Sequence, residues 1–407
     1  MSNAFLSGGP GRSGGIAIEE ADRRLASISL PARPLAVPLS LAHGRILARD
    51  ARSDRPSPPF DRVCMDGYAL RAGDVRAGAE LAVRGVAKAG EPRRALAEGS
   101  GCMEVMTGSV LPEGCDAVVA VERTERISED RVRILQESVG IGDNVHRMGR
   151  DRRSGDVVVA SGTRLGPCEI AALASVGVVR PEVVDGWRIA VVSTGDELVA
   201  PDQVPLGHQI RQSNAWGVAA LLERSGFGAP EVLHLSDEPV SLGRELSELS
   251  ARVDLLVLSG GVSMGRFDLV PSTLEAIGVR NLLHGIAQQP GGPIWMGVLA
   301  TGGVVAGLPG NPVSALVCLR RHVVPLLERS AGLAVSGRRV ELACPLKRAK
   351  AKTRFVPVAL DDEFRARPVH VDGSGDWAGL VGSDGFVQVG VGMDDVPVGT
   401  RLEYFPW

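Results

Sequence analysis

Between residues 187 and 331 the apolar positions come in short unbroken runs: IAVVST, VLHL, LLVLS and VVAGL. Each run ends in glycine or another turn residue and leads into a stretch with helical spacing. Apolar runs of this length bounded by turns read as strands buried on both faces. The intervening helices are SNAWGVAALLERSG, with Ser213 or Asn214 as N-cap and a glycine stop, PVSLGRELSELSARV, TLEAIG, and the segment after GLPGNP, starting near Val313. Such alternation predicts a doubly wound sheet of parallel strands covered on both faces, with the C-terminal loops of the strands at one edge. Residues 51–151 have a different pattern. ELAVRGVAKAG, GCMEVMTGSVLPEGCDAVVAVERTE and RVRILQE alternate with period two, which predicts a β-rich segment. On either side of it, IAIEEADRRLASIS reads as a short amphipathic helix, RPLAVPLSLAHGRILARD as strand, turn and helix, and GPCEIAALASVGV as a second helix. Residues 16–50 and 152–186 are therefore expected to pack together as one discontinuous linking domain around an inserted domain, 51–151. Residues 187–331 would be the α/β domain. The basic, β-like tail 332–407 reads as a small, separate β-domain, and the Gly/Ser-rich residues 1–15 as disordered.

With 407 residues the chain exceeds one ordinary core, in line with several domains. Aromatic residues are only 4% while glycines number 51 and prolines 26, a mix suited to tight turns and backbone-lined sites. The scarcity of rings argues against nucleic-acid stacking platforms, and the net charge of −3 offers no general attraction to nucleic acid or anionic membrane. The six cysteines, at 64, 102, 115, 168, 318 and 344, form no close pair and read as small buried hydrophobes in a reducing compartment. No signal peptide and no apolar run of membrane-spanning length is visible, so a cytoplasmic protein is expected.

Candidate chemistry lies in three loops predicted to meet at the sheet edge. STGDEL frees the backbone at Thr194 and Gly195 and adds Asp196 and Glu197. GGVSMGRFD places Gly260, Gly261, Ser263 and Asp268 after a buried strand. GLPGNPVSAL uses Pro309, Gly310, Asn311 and Pro312 as a rigid turn into a helix, whose N-terminal N–H groups would make a phosphate cradle. Together the three loops suggest a phosphorylated ligand, with a divalent cation bridging carboxylates and oxygens. In the β-rich segment, Asp66 in PSPPFDRVCMDGYAL, Thr107-Gly108, and Asn144, Arg147 and Asp151 in NVHRMGRD are each compatible with simple turn chemistry.

MDGYAL, MTGSVLPEGCDAVV, VVSTGDELV, SGGVSMGRFD and GLPGNPVSALVC occur in the order and at the spacing of the molybdenum insertases, the MoeA and gephyrin E-domain family, which the chain resembles from about Ile16 to its C-terminus. The resemblance implies a multi-domain chain: a three-layer α/β molybdopterin-binding domain, a β-rich inserted domain, a small helix/strand linking domain that also dimerises, and a C-terminal β-barrel-like domain. It also implies an L-shaped homodimer that inserts molybdate into adenylylated molybdopterin, releasing AMP and molybdenum cofactor with the help of Mg²⁺. Contact with the molybdopterin adenylyltransferase would follow. Asp66, Thr107, Asp151, Glu197, Asp237 and Asp268 fall on positions where the family has functional polar residues, with Glu197 and Asp268 as metal ligands. Thr194, Gly195, Gly260, Gly261, Ser263, Pro309, Gly310, Asn311, Pro312 and Ser314 would line the pterin-phosphate pocket. In the family that site lies between the α/β domain of one subunit and the insert of the other.

Two departures accompany the resemblance. Where relatives carry KPGKP, this chain reads QQPGGP, so Gln289 and Gly292 stand in for two lysines beside an oxyanion site. Arg150 replaces an acid before Asp151. Arg147, Arg150 or another cation would then compensate, or the chain is a paralogue of altered affinity. The alternatives are a non-catalytic molybdopterin-binding scaffold and a molybdopterin adenylyltransferase. The latter resembles residues 187–331 alone and needs neither 51–151 nor the C-terminal β-domain.

Overall fold

The computed structural model describes residues 15–76, 78–97, 101–262, 269–335, 337–347, 351–392 and 395–407. Its centre is a six-stranded sheet in the order Glu231–Leu235, Ile189–Thr194, Leu255–Ser259, Val304–Leu308, Trp295–Val298, Arg280–His284. Successive strand residues face opposite sides. Ile189 and Val191 pack under helix Asn214–Arg224 and the helical stretch 312–330, while Ala190 and Val192 pack against Pro239–Arg252 and Val270–Ala276. Coverage on both faces is why these strands read as continuous apolar runs.

The sheet is not wholly parallel, which corrects the sequence reading. Trp295–Val298 runs antiparallel to both neighbours. Its connection to Val304–Leu308 is a turn over residues 299–303, too short for the crossover that a parallel neighbour needs. The predicted helix within residues 43–50 is also absent. Gly44 takes φ +78°, and the residues after it form isolated bridges, Ile46 with Arg164 and Leu47 with Val183. Bridging to partners on two sides satisfies the backbone without a helix. Those bridges and two antiparallel ribbons, Arg33–Ala36 with Glu182–Asp185 and Ala51–Arg52 with Val157–Val159, tie residues 16–52 to 157–185.

Within 51–151 a second six-stranded sheet runs Ala117–Ala120, Gly67–Leu70, Cys102–Val105, Glu80–Ala87, Arg131–Ile134, Thr124–Ser128, with its own apolar clusters. The C-terminal sheet follows the order Thr353–Leu360, Gly385–Val389, Arg401–Pro406, Arg338–Glu341. Ala366–Pro368 pairs on Thr353–Leu360, and a Leu342–Ala366 bridge closes the circuit into a barrel-like form. This unit is less separate than its sequence suggests. Gln288–Gln289 supplies an edge strand, parallel to Thr353–Arg354, and Phe355, Phe386 and Phe405 join the main core. Of the six cysteines, Cys102, Cys115 and Cys318 are buried as expected, but Cys64 and Cys168 are exposed and Cys344 is half-buried.

Candidate functional site

In the central sheet Ser193 pairs with Ser259, and Ser259 with Leu308, so three neighbouring strands end level with one another. The described residues that follow them, 195–197, 260–262 and 309–311, therefore lie along one edge. Asn214, at the start of a helix, ties two of them together: its Nδ2 donates to Ser259 Oγ (2.9 Å) and to the Gly310 carbonyl (2.7 Å). The loops open into a cavity of about 360 Å³ lined by Thr194, Glu197, Asn214, Gly260, Asn311 and Trp377, among others. Gly310 and Pro312 line it as well, whereas Pro309 is buried behind the edge. Thr194 Oγ1 is buried and, among the described residues, has no hydrogen-bond partner. A buried hydroxyl without a partner is costly, so a site that keeps one at a cavity wall is prepared for a polar ligand.

Trp377 reaches this cavity from the C-terminal unit, and its indole N–H donates to Ser213 Oγ (2.8 Å). Ser213 does occupy the N-cap position, but its hydroxyl makes no cap bond. The cradle at the start of helix Pro312–Cys318 is likewise partly spent, because Val313 N–H donates to the Ser374 carbonyl (3.1 Å).

A second cavity, of about 710 Å³, shares Asn311 with the first. Gln288 to Pro293 form one wall, Ser314 belongs to it, and Lys352 and Arg354 enter from the barrel-like unit. The positions that lack lysine thus face a space that already holds two cations. Arg147, considered above as a substitute, is instead paired with Asp61 (2.8 Å) in the other β-sheet unit.

The acidic residues gather beside the first loop. Gly195 has φ +137°, and a Cβ there would collide with the Glu197 carboxylate, which folds back over the turn. Asp237 N–H donates to Asp196 Oδ1 (3.2 Å). Burial, then the nearby Asp196 and Glu197 charges, raise the Asp237 carboxyl above its ordinary value. Hard oxygen donors that crowd one another in this way suit a small divalent cation, although no three His, Cys, Asp or Glu side chains converge into a ready-made set among the described residues.

The remaining sequence-predicted residues lie in the 51–151 sheet unit. Asp66 Oδ1 accepts from Thr107 N–H and Thr107 Oγ1, both at 2.7 Å, which holds the exposed carboxyl below its usual range. Asp151 Oδ1 lies 2.8 Å from His146 Nε2. Among the described residues no hydrogen bond or ion pair joins residues 51–151 to residues 187–331. One chain therefore presents two polar sets, not one. Ser263 and Asp268 lie outside the described residues.

Asn214 as a tether, Trp377, Lys352 and Arg354 escaped the sequence reading. Asn214 carries a weak signal as a polar residue at a helix start. The others come from remote segments and carry no local one.

Family models match almost the whole chain: the MoeA N-terminal region (domain I and II) over residues 16–177, a probable molybdopterin binding domain over 190–329, and the MoeA C-terminal region (domain IV) over 339–407. A molybdopterin molybdenumtransferase of Synechocystis is 34% identical over 373 residues, 90% of this chain and 93% of that protein. One from Haemophilus influenzae is 34% identical over 310 residues, 76% of each. Among solved structures, a molybdopterin biosynthesis MoeA protein from Pyrococcus horikoshii has TM-score 0.81 at 31% identity and covers 96% of this chain and 99% of its own. The loops, the insert and the barrel-like unit thus occur together in proteins of one kind, and the chain belongs to the molybdopterin molybdenumtransferase (MoeA) family.

Proposed function

We propose that this chain acts in molybdenum cofactor biosynthesis as a transferase that inserts molybdate into adenylylated molybdopterin and releases AMP. The observation that carries this reading is the pair of cavities joined at Asn311. The smaller one offers Thr194, Asn214 and the Gly260 and Gly310 backbone to a phosphorylated ring system. The larger one offers Lys352, Arg354 and Ser314 to an oxyanion. A water oxygen bonding to the adenylate phosphorus would expel the pterin phosphate and leave AMP. If a molybdate oxygen attacks instead, the molybdo-adenylate formed needs a water to release AMP. In either case the pterin's two sulfurs bond to molybdenum as molybdate oxygens leave as water. Donors fixed before the reaction stabilise the charge that develops.

Mg²⁺ would be held by Glu197 with Asp268, and Asp196 and Asp237 stand beside Glu197. When bound it would neutralise phosphate charge. Asp66, Thr107 and Asp151 would complete the site from the partner of a homodimer, since their set is detached from the loop edge within one chain. In domain terms, 16–50 with 152–186 would link and dimerise, 51–151 would reach across to the partner, 187–331 would bind the pterin and 332–407 would close the oxyanion cavity. The pterin would come from an adenylyltransferase, by direct contact in the cytoplasm. No helix among the described residues is long and apolar enough to cross a membrane. The cations facing Gln289 and Gly292 weigh against the scaffold reading, because they restore what the missing lysines would supply. AMP release from adenylylated molybdopterin, with and without molybdate, tests the proposal. Absence of molybdate-dependent release from the folded protein would overturn it.

A further inference from the structure

Behind the wall of the larger cavity lies a buried polar cluster that the proposed reaction does not use. Gln288 is 1% exposed and His322 2%. His322 sits in the π-helical turn Leu319–Val323, and its Nε2 is 2.8 Å from Gln288 Oε1. Burial holds the imidazole well below its ordinary value, so it is neutral and donates Nε2–H to the amide oxygen. That fixes the orientation of the Gln288 amide. Its Nε2 then donates to the carbonyls of Pro290 (3.2 Å) and Gly291 (3.3 Å), and Cys318 Sγ–H also points at Gly291 O (3.3 Å). Gly292 O accepts from Ile286 N–H (2.8 Å). Three consecutive carbonyls are therefore turned into the core.

In a trans peptide the N–H points opposite to the C=O. With the Pro290 and Gly291 carbonyls aimed inward, the N–H groups of Gly291 and Gly292 point outward, on the side where both residues line the cavity with Lys352 and Arg354. Neither N–H has an acceptor among the described residues. Gly291 has φ +87°, and a Cβ there would collide with Cys318 Sγ and Gln288 Nε2, so only glycine fits the clamp. Successive N–H groups turned to one side form an anion-binding concavity.

We propose that Gln288, oriented by His322, is a positioning residue that presents the Gly291 and Gly292 N–H groups to the cavity as an uncharged cradle for a tetrahedral oxyanion of the molybdate class. This rests on the function proposed above. It would explain how a loop without lysines still serves an oxyanion: two oriented amides and two cations from the neighbouring unit replace side-chain charge on the loop itself.

The test uses the full chain and sodium molybdate as probe. In wild-type protein labelled with ¹⁵N-glycine, the Gly291 and Gly292 amide resonances should move on titration and saturate together. Unmoved resonances at saturating molybdate would overturn the proposal. Gln288→Leu should weaken molybdate binding about tenfold by calorimetry. It should raise the molybdate concentration for half-maximal AMP release while leaving kcat at saturation nearly unchanged, a split that general loosening of the core would not give. Gly292→Pro, which removes an N–H, should lose at least tenfold more affinity than Gly292→Ala, which keeps it. Equal affinities for those two in folded proteins would count against the cradle. If wild-type protein binds molybdate through these amides but releases no AMP, the functional reading fails and the cradle stands. If AMP is released while the amides stay silent, the reverse holds.

Discussion

Substituting Gly292 by lysine would place a charge in a loop that has none of its own, and the structure allows the consequence to be worked out. Gly292 lies outside the left-handed region, unlike Gly291, so an L-residue needs no strained backbone there. A Cβ would sit 3.3 Å from the Gln288 carbonyl and 3.5 Å from that of Ile286, a tight fit that shifts of a few tenths of an ångström relieve. A charge-assisted contact to an oxyanion is worth ~1.5–3 kcal/mol, and ordering a lysine side chain costs up to ~2 kcal/mol. The net gain is then about 1 kcal/mol, since Lys352 and Arg354 already offset part of the anion's charge. At ~1.4 kcal/mol per decade, Gly292→Lys should tighten molybdate binding about five- to tenfold. Calorimetric titration at two salt concentrations checks this, and the gain should shrink at the higher one as screening increases. Unchanged affinity in a protein of unchanged melting temperature would refute the reasoning, because Lys352 and Arg354 would then already saturate the anion. Weaker binding would mean that the new side chain blocks the amides it was meant to assist.

Three other outcomes follow from the same geometry. Glu197→Ala should lower AMP release by ~10²-fold, the usual loss when one preorganised charge-stabilising group is removed, with the melting temperature little changed because Glu197 is exposed; activity within a few-fold of wild type would make it a turn residue only. The folded-state value of His322 is depressed below the unfolded ~6.5, so the unfolded chain binds the extra proton and stability should fall as pH drops below about 6.5. Denaturant midpoints at pH 7.5 and 5.5 should show this for wild type and less of it for His322→Gln. The homodimer is tested by sedimentation at micromolar concentration and by mixing. Co-expressed Asp66→Ala and Glu197→Ala chains should recover about a quarter of wild-type sites, because half the dimers are mixed and each holds one intact site; no recovery would sink the shared site.

How much of this was legible beforehand depends on the distance over which each feature is specified. The parallel strands announced themselves because burial on both faces favours unbroken apolar runs, and IAVV and LLVL supply them, with the buried polar Ser193, Thr194 and Ser259 only at the strand ends. IWMGV has the same composition, so nothing local marks Trp295–Val298 as antiparallel; the short connection to Val304 decides it. The glycine loops were legible because a backbone that must turn sharply at a strand end has few residue choices. Residues 43–50 misled because GRILARD has helix-forming side chains, while its backbone finds partners at Arg164 and Val183, more than a hundred residues away. Trp377 and Ser213 are 164 positions apart, and no periodicity links them.

The same reasoning explains how cations come to stand at a loop whose own side chains carry none. Gln288–Gln289 pairs parallel with Thr353–Arg354, in a register that sets Gln289 directly opposite Arg354. That short ladder welds the barrel-like unit to the α/β unit, and it also delivers Arg354, with Lys352 two residues before it, to the wall where QQPGGP stands. A slip of one residue would turn Arg354 to the other face of its strand and bring a buried threonine or phenylalanine into its place. The aromatic packing of Phe355 against Phe386 and Phe405 resists that slip. Charge at the cavity is thus specified by strand register and core packing rather than by the loop's own side chains. It follows that a core variant such as Phe386→Ala, at a residue that packs against Phe355 and does not line the cavity, should weaken molybdate binding along with stability, whereas loss of a surface arginine such as Arg252 should do neither.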